Sequence, residues 1–524
     1  MEDQNLIKKI KSTYILKNIF NYIKDNNFKL KLFIHSKLYQ NKLDLTIIYK
    51  EKYIVQIEFD INKYLHKKYE RDNLIKKYDN FLLEKKLNKK EFENIFSEVI
   101  INKKFNENEE DSEKIIDMES PLFEIISKTK NFENKYVIYI EQKNLDENKD
   151  YYKKYFDNLN KSNIVYSSIY YSFYDKNKIK YLNELNIDYN KIKRLKLYNK
   201  DSKEKGNFNN YESLLKFEKL EILRWNKISN SIDILENFNF KELKELDLSN
   251  SNISDIKVLE KVKFEKLEIL NLRWNKISNI NILENVNFKE LKKLDLWHNN
   301  ISDIKVLEKI KFEKLEKLNL GGNKIANNID ILENVNFKEL KELNLSNNNI
   351  SDIKVLEKVK FDKLEILNLG GNKISNKDIL ENVNFKELKE LNLSNINISD
   401  IKVLEKVKFD KLEILNLAWN KISNNIDILE NVNFKELKEL NLWHNNISDI
   451  KVLKKVNFEK LEKLYLGKNK ISNKDILENV NFKELKELHF YNYVISDIKL
   501  LETVKLKKVH PEKNKINENK CCCQ

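Results

Sequence analysis

From Leu220 onward, a unit of roughly 24 residues recurs about twelve times. Its core reads Leu-x-x-Leu-x-Leu-x-x-Asn-x-Ile, as in Leu340-Lys-Glu-Leu343-Asn-Leu345-Ser-Asn-Asn348-Asn-Ile350 and Leu364-Glu-Ile-Leu367-Asn-Leu369-Gly-Gly-Asn372-Lys-Ile374. A unit this short cannot bury its apolar side alone and must stack on its neighbours. The pattern therefore constrains some three hundred residues to a solenoid, which presents a long binding surface.

Within each unit the second and third leucines are two residues apart, so they share one face of a short strand and the residues between them share the other. Asn at the ninth place recurs at Asn226, Asn275, Asn299, Asn323, Asn348, Asn372, Asn420, Asn445 and Asn469, with departures at Ser251, Ile396 and Tyr493. A buried amide there can satisfy backbone groups of adjoining turns as a ladder through the stack. A Phe stands three residues before each first leucine, from Phe217 to Phe482, and is expected to pack as an aromatic spine. The second half of the unit, as in Ile-Ser-Asp-Ile-Lys-Val-Leu-Glu-Lys-Val, has a Ser or Asp cap and apolar spacing suited to a short helix. Parallel strands lie about 4.8 Å apart, so twelve would span on the order of 50 Å. Two unit types alternate, one with Asn-Lys-Ile-Ser-Asn and one with Asn-Asn-Ile-Ser-Asp-Ile, making the larger repeat a pair of about 48 residues.

On these residues, the stretch 192–509 resembles the leucine-rich repeat superfamily, closest to the short units of type-1 protein phosphatase regulatory subunits and of internalins. The resemblance implies an α/β solenoid: an arc with a parallel sheet on the concave side and short helices outside. Ile192-Lys-Arg-Leu195-Lys-Leu197 reads as a degenerate first copy, and His510-Pro511 ends the pattern.

Residues 1–185 lack the repeat and read as a small helical or α+β domain. Apolar spacing over 12–45, with Tyr14-Ile-Leu-Lys-Asn-Ile-Phe20 inside it, faintly resembles an F-box; 46–60 reads as a strand pair and 106–113 as an acidic loop. Residues 510–524 form a basic tail ending Cys521-Cys522-Cys523-Gln524, which fits a prenylation pattern at Cys521. One lipid chain binds a membrane only marginally, so the upstream lysines would be its second signal. With no other cysteine, no apolar run of transmembrane length and no signal-peptide start, the chain is expected in the cytoplasm or on the cytoplasmic face of a membrane.

The formal net charge of +14 is spread over closely alternating Lys and Glu, with no Arg-rich stripe, so nucleic acid is not the expected partner. No phosphate loop, nucleophile–base pair or metal motif is present in the sequence, so neither enzyme activity, a cofactor nor a bound metal is expected. The copies differ most at the two residues after the third leucine. The first of each pair should face outward from the strand, and the second should lie at the sheet edge. All five tryptophans and five of six glycines fall there. The candidate partner-binding residues are Trp225, Trp274, Trp297, His298, Trp419, Trp443, His444 and Tyr491, because exposed aromatic side chains anchor interfaces. Among them Trp274 with Trp297, and Trp419 with Trp443, would make two aromatic patches six repeats apart. The expected function is a protein-interaction scaffold with a prenyl tether. The F-box resemblance implies instead a substrate receptor of a ubiquitin ligase, and the fold resemblance a phosphatase regulatory subunit.

Overall fold

The computed structural model of the chain describes residues 182–199, 212–228, 231–472, 480 and 482–489. It also describes the strand segments 114–116, 136–141, 166–173 and 508–509 and single positions at 150, 153, 156, 157 and 179. The F-box-like stretch 12–45, the segments 46–60 and 106–113, Tyr491, Tyr493 and Cys521 lie outside the described residues. The chain divides into two units, Met1–Tyr174 with Lys178–Lys196, and Asp175–Asn177 with Leu197–Gln524.

In the first unit, Lys114–Ile116 pairs parallel with Tyr136–Glu141, which pairs parallel with Tyr166–Phe173. Ile169, Tyr171 and Phe173 alternate along the last of these and are buried. The boundary between the units falls inside the strand Arg194–Asn199, where Leu195, Leu197 and Asn199 are buried in alternation. That is the inward pattern expected of the degenerate first copy.

Among the described residues the second unit carries thirteen parallel strands, from Ile222–Asn226 to Lys508–Val509. Most are three residues long, and equivalent leucines align: Leu343 pairs with Leu318 on one side and Leu367 on the other. The leucines point inward and are fully buried, whereas Glu342 and Asn344 on either side of Leu343 are half-exposed. Twelve phenylalanines, Phe217 to Phe482, line the opposite side of the core and are all buried, as the packing reading expects. Each also starts a turn, for the Phe carbonyl accepts the N–H of the first leucine three residues on (Leu340 to Phe337, 3.1 Å).

Where the helical half of a unit is described, it is a 3-10 turn, often a single one, such as Lys257–Glu260 or Lys354–Glu357. With so few residues returning the chain to the next strand, the longer rise of a 3-10 helix covers more distance per residue than an α-helix. The side chain two residues ahead of each short turn holds its first N–H: Asp352 Oδ1 accepts the Lys354 N–H at 2.7 Å, Asp255, Asp303, Asp400 and Asp449 do the same in their units, and Asn279 does so for Asn281.

The ninth-place asparagines form the expected ladder. Asn372 Oδ1 accepts the N–H groups of Asn348 and Ile350 in the preceding repeat, both at 3.0 Å, and its Nδ2 donates to Leu345 O and Leu369 O. Asn275, Asn299, Asn323, Asn348, Asn420, Asn445 and Asn469 bridge adjacent repeats likewise. Ser251 substitutes in part, its Oγ accepting the Ile228 N–H. Asn226 is a correction: it is half-buried and only donates to Ser249 O and Oγ.

Charge pairing explains the alternation of unit types. Lys266, Lys314, Lys363, Lys411 and Lys460 each bond the Glu one repeat back. A second lane, Lys244, Lys292, Lys341, Lys389, Lys438 and Lys486, pairs in the same sense but one repeat out of phase. Unlike neighbours are complementary in both lanes, and like neighbours would set Lys against Lys.

Candidate functional site

Residues at the third, fifth and seventh places of each unit project to the open face of the ladder, by strand alternation. The fifth place holds a second polar ladder that the repeat consensus did not single out. Asn271, Asn319, Asn344, Asn368, Asn392, Asn416 and Asn441 each accept the N–H two residues on, as do Asp247 and Asp295. Its signal in the sequence was the recurrent Asn between the second and third leucines. Asp295 is the costly member: burial pushes its carboxyl above the usual range, against the Trp297 N–H it accepts.

The chain turns sharply here, and the eighth place is left-handed in repeat after repeat. Asn250, Asn347 and Asn395 occupy it with φ of 54°, 54° and 51°, and Gly322 and Gly371 with 65° and 69°. Asn and Gly tolerate this region, whereas bulky side chains clash there. Yet Trp274, His298, Trp419, His444 and Lys468 hold the same place, with φ between 51° and 58°. Trp274 and Trp419 are 46% and 36% exposed, which puts them among the few exposed large hydrophobic side chains of the described residues.

Each tryptophan is braced by the next repeat. Trp274 packs on His298 with ring centroids 3.7 Å apart and edge-on against Trp297 at 4.9 Å. Trp419 stacks on His444 at 3.8 Å, with Lys468 Nζ 5.4 Å from its ring. Burial, then the Lys468 charge, lowers the His444 pKa, and its buried Nδ1 has no hydrogen-bond partner among the described residues. The half-buried Trp297 and Trp443 lie across the strand that follows. A Cβ at Gly321 would come within 2.7 Å of Trp297 Cδ1, and one at Gly467 would overlap Trp443 Cζ3. Glycine after Trp-His is thus the space in which the indole lies.

The structure therefore brings together Trp274, Trp297 and His298, and separately Trp419 and His444 beside Trp443. Trp225 is different. The first strand pairs Leu223 with Leu246 and Arg224 with Asp247, so Trp225 falls opposite Leu248 and points inward. The first unit is two residues short after Leu223, and Trp225 fills the place of the third leucine, fully buried. It offers a partner nothing. Arg224 takes the open face instead, its Nε 2.8 Å from Glu245 Oε1.

From the repeat after Trp297 to the repeat after Trp443, the third-place row runs Lys317, Glu342, Ile366, Glu390, Ile414, Glu439, Lys463. The outer carboxylates are paired, Glu342 to Lys317 at 2.6 Å and Glu439 to Lys463 at 3.2 Å. Glu390, half-buried between the two isoleucines, has no ion pair among the described residues. Burial, then the charges of Glu439 and Glu342, raises its pKa. The floor beside it is shallow: Ser346, Gly370, Ser394 and Ala418.

Residues 289–334, 338–382 and 435–479 match the family model described as Leucine Rich repeats (2 copies). Similar solved structures include an internalin from Listeria monocytogenes, 25% identical over 58% of this chain and 90% of that one, TM-score 0.42. A leucine-rich repeat protein of Leptospira interrogans is 22% identical over 60% of this chain and 80% of its own, TM-score 0.45. The Toll–Spätzle complex of Drosophila is 16% identical over 70% of this chain and 48% of that one, TM-score 0.47. No curated protein sequence matches the chain. Leucine-rich repeat proteins are typically non-enzymatic interaction scaffolds, and the array from Leu220 to Leu488 is a leucine-rich repeat solenoid.

Proposed function

We propose that the chain is a non-enzymatic scaffold whose protein ligand lies along the open face of the ladder. Two equivalent aromatic clamps hold it, Trp274 with Trp297 and His298, and Trp419 with Trp443 and His444. At about 4.8 Å per strand, six repeats set the clamps roughly 29 Å apart. The observation that carries this reading is the conformation of Trp274 and Trp419. Both are exposed, and both hold a left-handed position that Asn250, Gly322, Asn347, Gly371 and Asn395 fill with residues suited to it. A non-glycine residue there costs about 1–2 kcal/mol, and strain of this kind collects at ligand clamps. Neither side chain is needed to close the turn.

The test is capture of the ligand from the cells that make this chain, with wild type beside Trp274→Asn and Trp419→Asn. Asn suits the backbone at both places, so the variants keep the fold. Loss of one and the same protein from both captures supports the clamps, and its retention by both variants refutes them.

A further inference from the structure

The two clamps sit in the same phase of the repeat, and so do the carboxylates beside them. Glu245 and Glu390 occupy the third place of the repeats just before Trp274 and Trp419 respectively. Glu245 is satisfied from within, by the guanidinium of Arg224 on the preceding strand at 2.8 Å. Six repeats later the place of Arg224 is taken by Asn368, on the strand Ile366–Asn368 paired with Glu390–Asn392. Asn368 uses its Oδ1 to accept the Gly370 N–H and brings no charge. Glu390 thus lacks the cation that its counterpart has.

We propose that Glu390 is the recognition site for an arginine side chain of the protein ligand, seated on the open face over Ile366, Asn368 and Ile414. This rests on the scaffold reading and names the ligand chemistry at one end of it. Ile366 and Ile414 flank the carboxylate and suit the aliphatic stem of such a side chain, which commonly lies along apolar surface with its head on a polar group. Guanidinium is favoured over ammonium because its planar fork matches a carboxylate with two parallel bonds and is more weakly hydrated. Gly370 and Ser394 leave the approach open, where Trp297 and Trp443 cover the floor at the clamps. Burial, then the charges of Glu439 and Glu342 two strands away on either side, disfavour the bare anion, and an arriving cation relieves both effects.

The test uses N-acetyl-arginine methylamide, with the uncharged citrulline analogue as control, and the full chain labelled with carbon-13 at glutamate carboxyls. The Glu390 resonance is identified by its loss in Glu390→Gln. The expected result is a saturable shift of that resonance by the arginine compound at millimolar concentration, at least tenfold weaker for citrulline. Asn368→Arg, which rebuilds the Arg224–Glu245 pair internally, should abolish the shift. Equal response to both compounds, or an unchanged response in Asn368→Arg, overturns the proposal. Trp419→Asn is run in parallel: loss of ligand capture there with no arginine response separates a correct clamp from a wrong Glu390 assignment, and the converse separates the reverse.

Discussion

Replacing Asn372 by Ala removes a side chain that is 3% exposed and holds two repeats together. Four backbone groups lose a bond: the N–H groups of Asn348 and Ile350, Leu345 O and Leu369 O. Leu345 O retains the Asn348 amide at 3.1 Å, which leaves three groups without their side-chain partner. A buried backbone group without a partner costs about 1–3 kcal/mol. Taking the low end for each, since the turns can relax, gives about 3 kcal/mol. Long arrays depart from two-state unfolding, so the measurement is native-state hydrogen exchange at the Asn348 and Ile350 amides. At 1.4 kcal/mol per decade, their protection should fall by about two decades. Asn382→Ala is the control: its amide bonds only Glu357 at the surface, and a change within about 0.5 kcal/mol is expected. If Asn372→Ala leaves both amides as protected as in wild type, the ladder is decoration and the argument fails.

Gly467→Ala should displace Trp443 from its strand and shift its fluorescence, because the new methyl would sit inside the indole. Gly370→Ala meets only the Ser394 hydroxyl and two Asn side chains and should perturb no tryptophan spectrum. Deleting one repeat, residues 364–387, sets Lys389 beside Lys341 and Lys411 beside Lys363, whereas deleting two preserves complementarity. The single deletion should be less stable at low salt, and added salt should stabilise it preferentially, since exposed ion pairs of about 0.2–1 kcal/mol each are screened; the melting temperature against ionic strength decides. Asp295→Asn should stabilise, because the Asp295 pKa is raised above the ordinary 3.8. A carboxyl whose folded pKa exceeds its unfolded pKa weakens the fold when ionised, so the gain is full at neutral pH. It shrinks as pH falls through the raised value and vanishes below the unfolded one. Thermal melts of both proteins across that range show it, and a gap that persists at the lowest pH contradicts the assignment.

The strand face, the Phe spine and the Asn ladder were legible because each repeats with the period of the unit, and twelve copies leave one register that buries every leucine. The site was legible only as variation against that period. Reading by alignment placed Trp225 with Trp274, because Arg-Trp-Asn-Lys-Ile is common to both. Strand register, which counts from Leu223, put it inward. Likewise the sequence did not show that the eighth place is left-handed, since φ there belongs to the turn as a whole: Lys468 adopts it with Tyr465, not Asn, at the fifth place. Glu390 differs from Glu342 and Glu439 only through the residues on the strands beside it.

The fold and the site are separable by one physical criterion. Residues that the turn requires recur, and they relieve strain: Asn at the fifth and ninth places accepts orphan N–H groups, and Gly or Asn at the eighth adopts a positive φ at little cost. Trp274 and Trp419 do the reverse. They add strain to a turn that Asn347 or Gly371 closes without it, and they leave aromatic surface in water. Their bracing by His298 and His444, an aromatic contact worth about 0.5–1.5 kcal/mol, offsets that cost in part and also fixes the indole orientation. A residue that is strained, exposed and held rigid gains nothing for the isolated chain. What it has is pre-organisation, which lowers the ordering cost of an anchor when a ligand arrives.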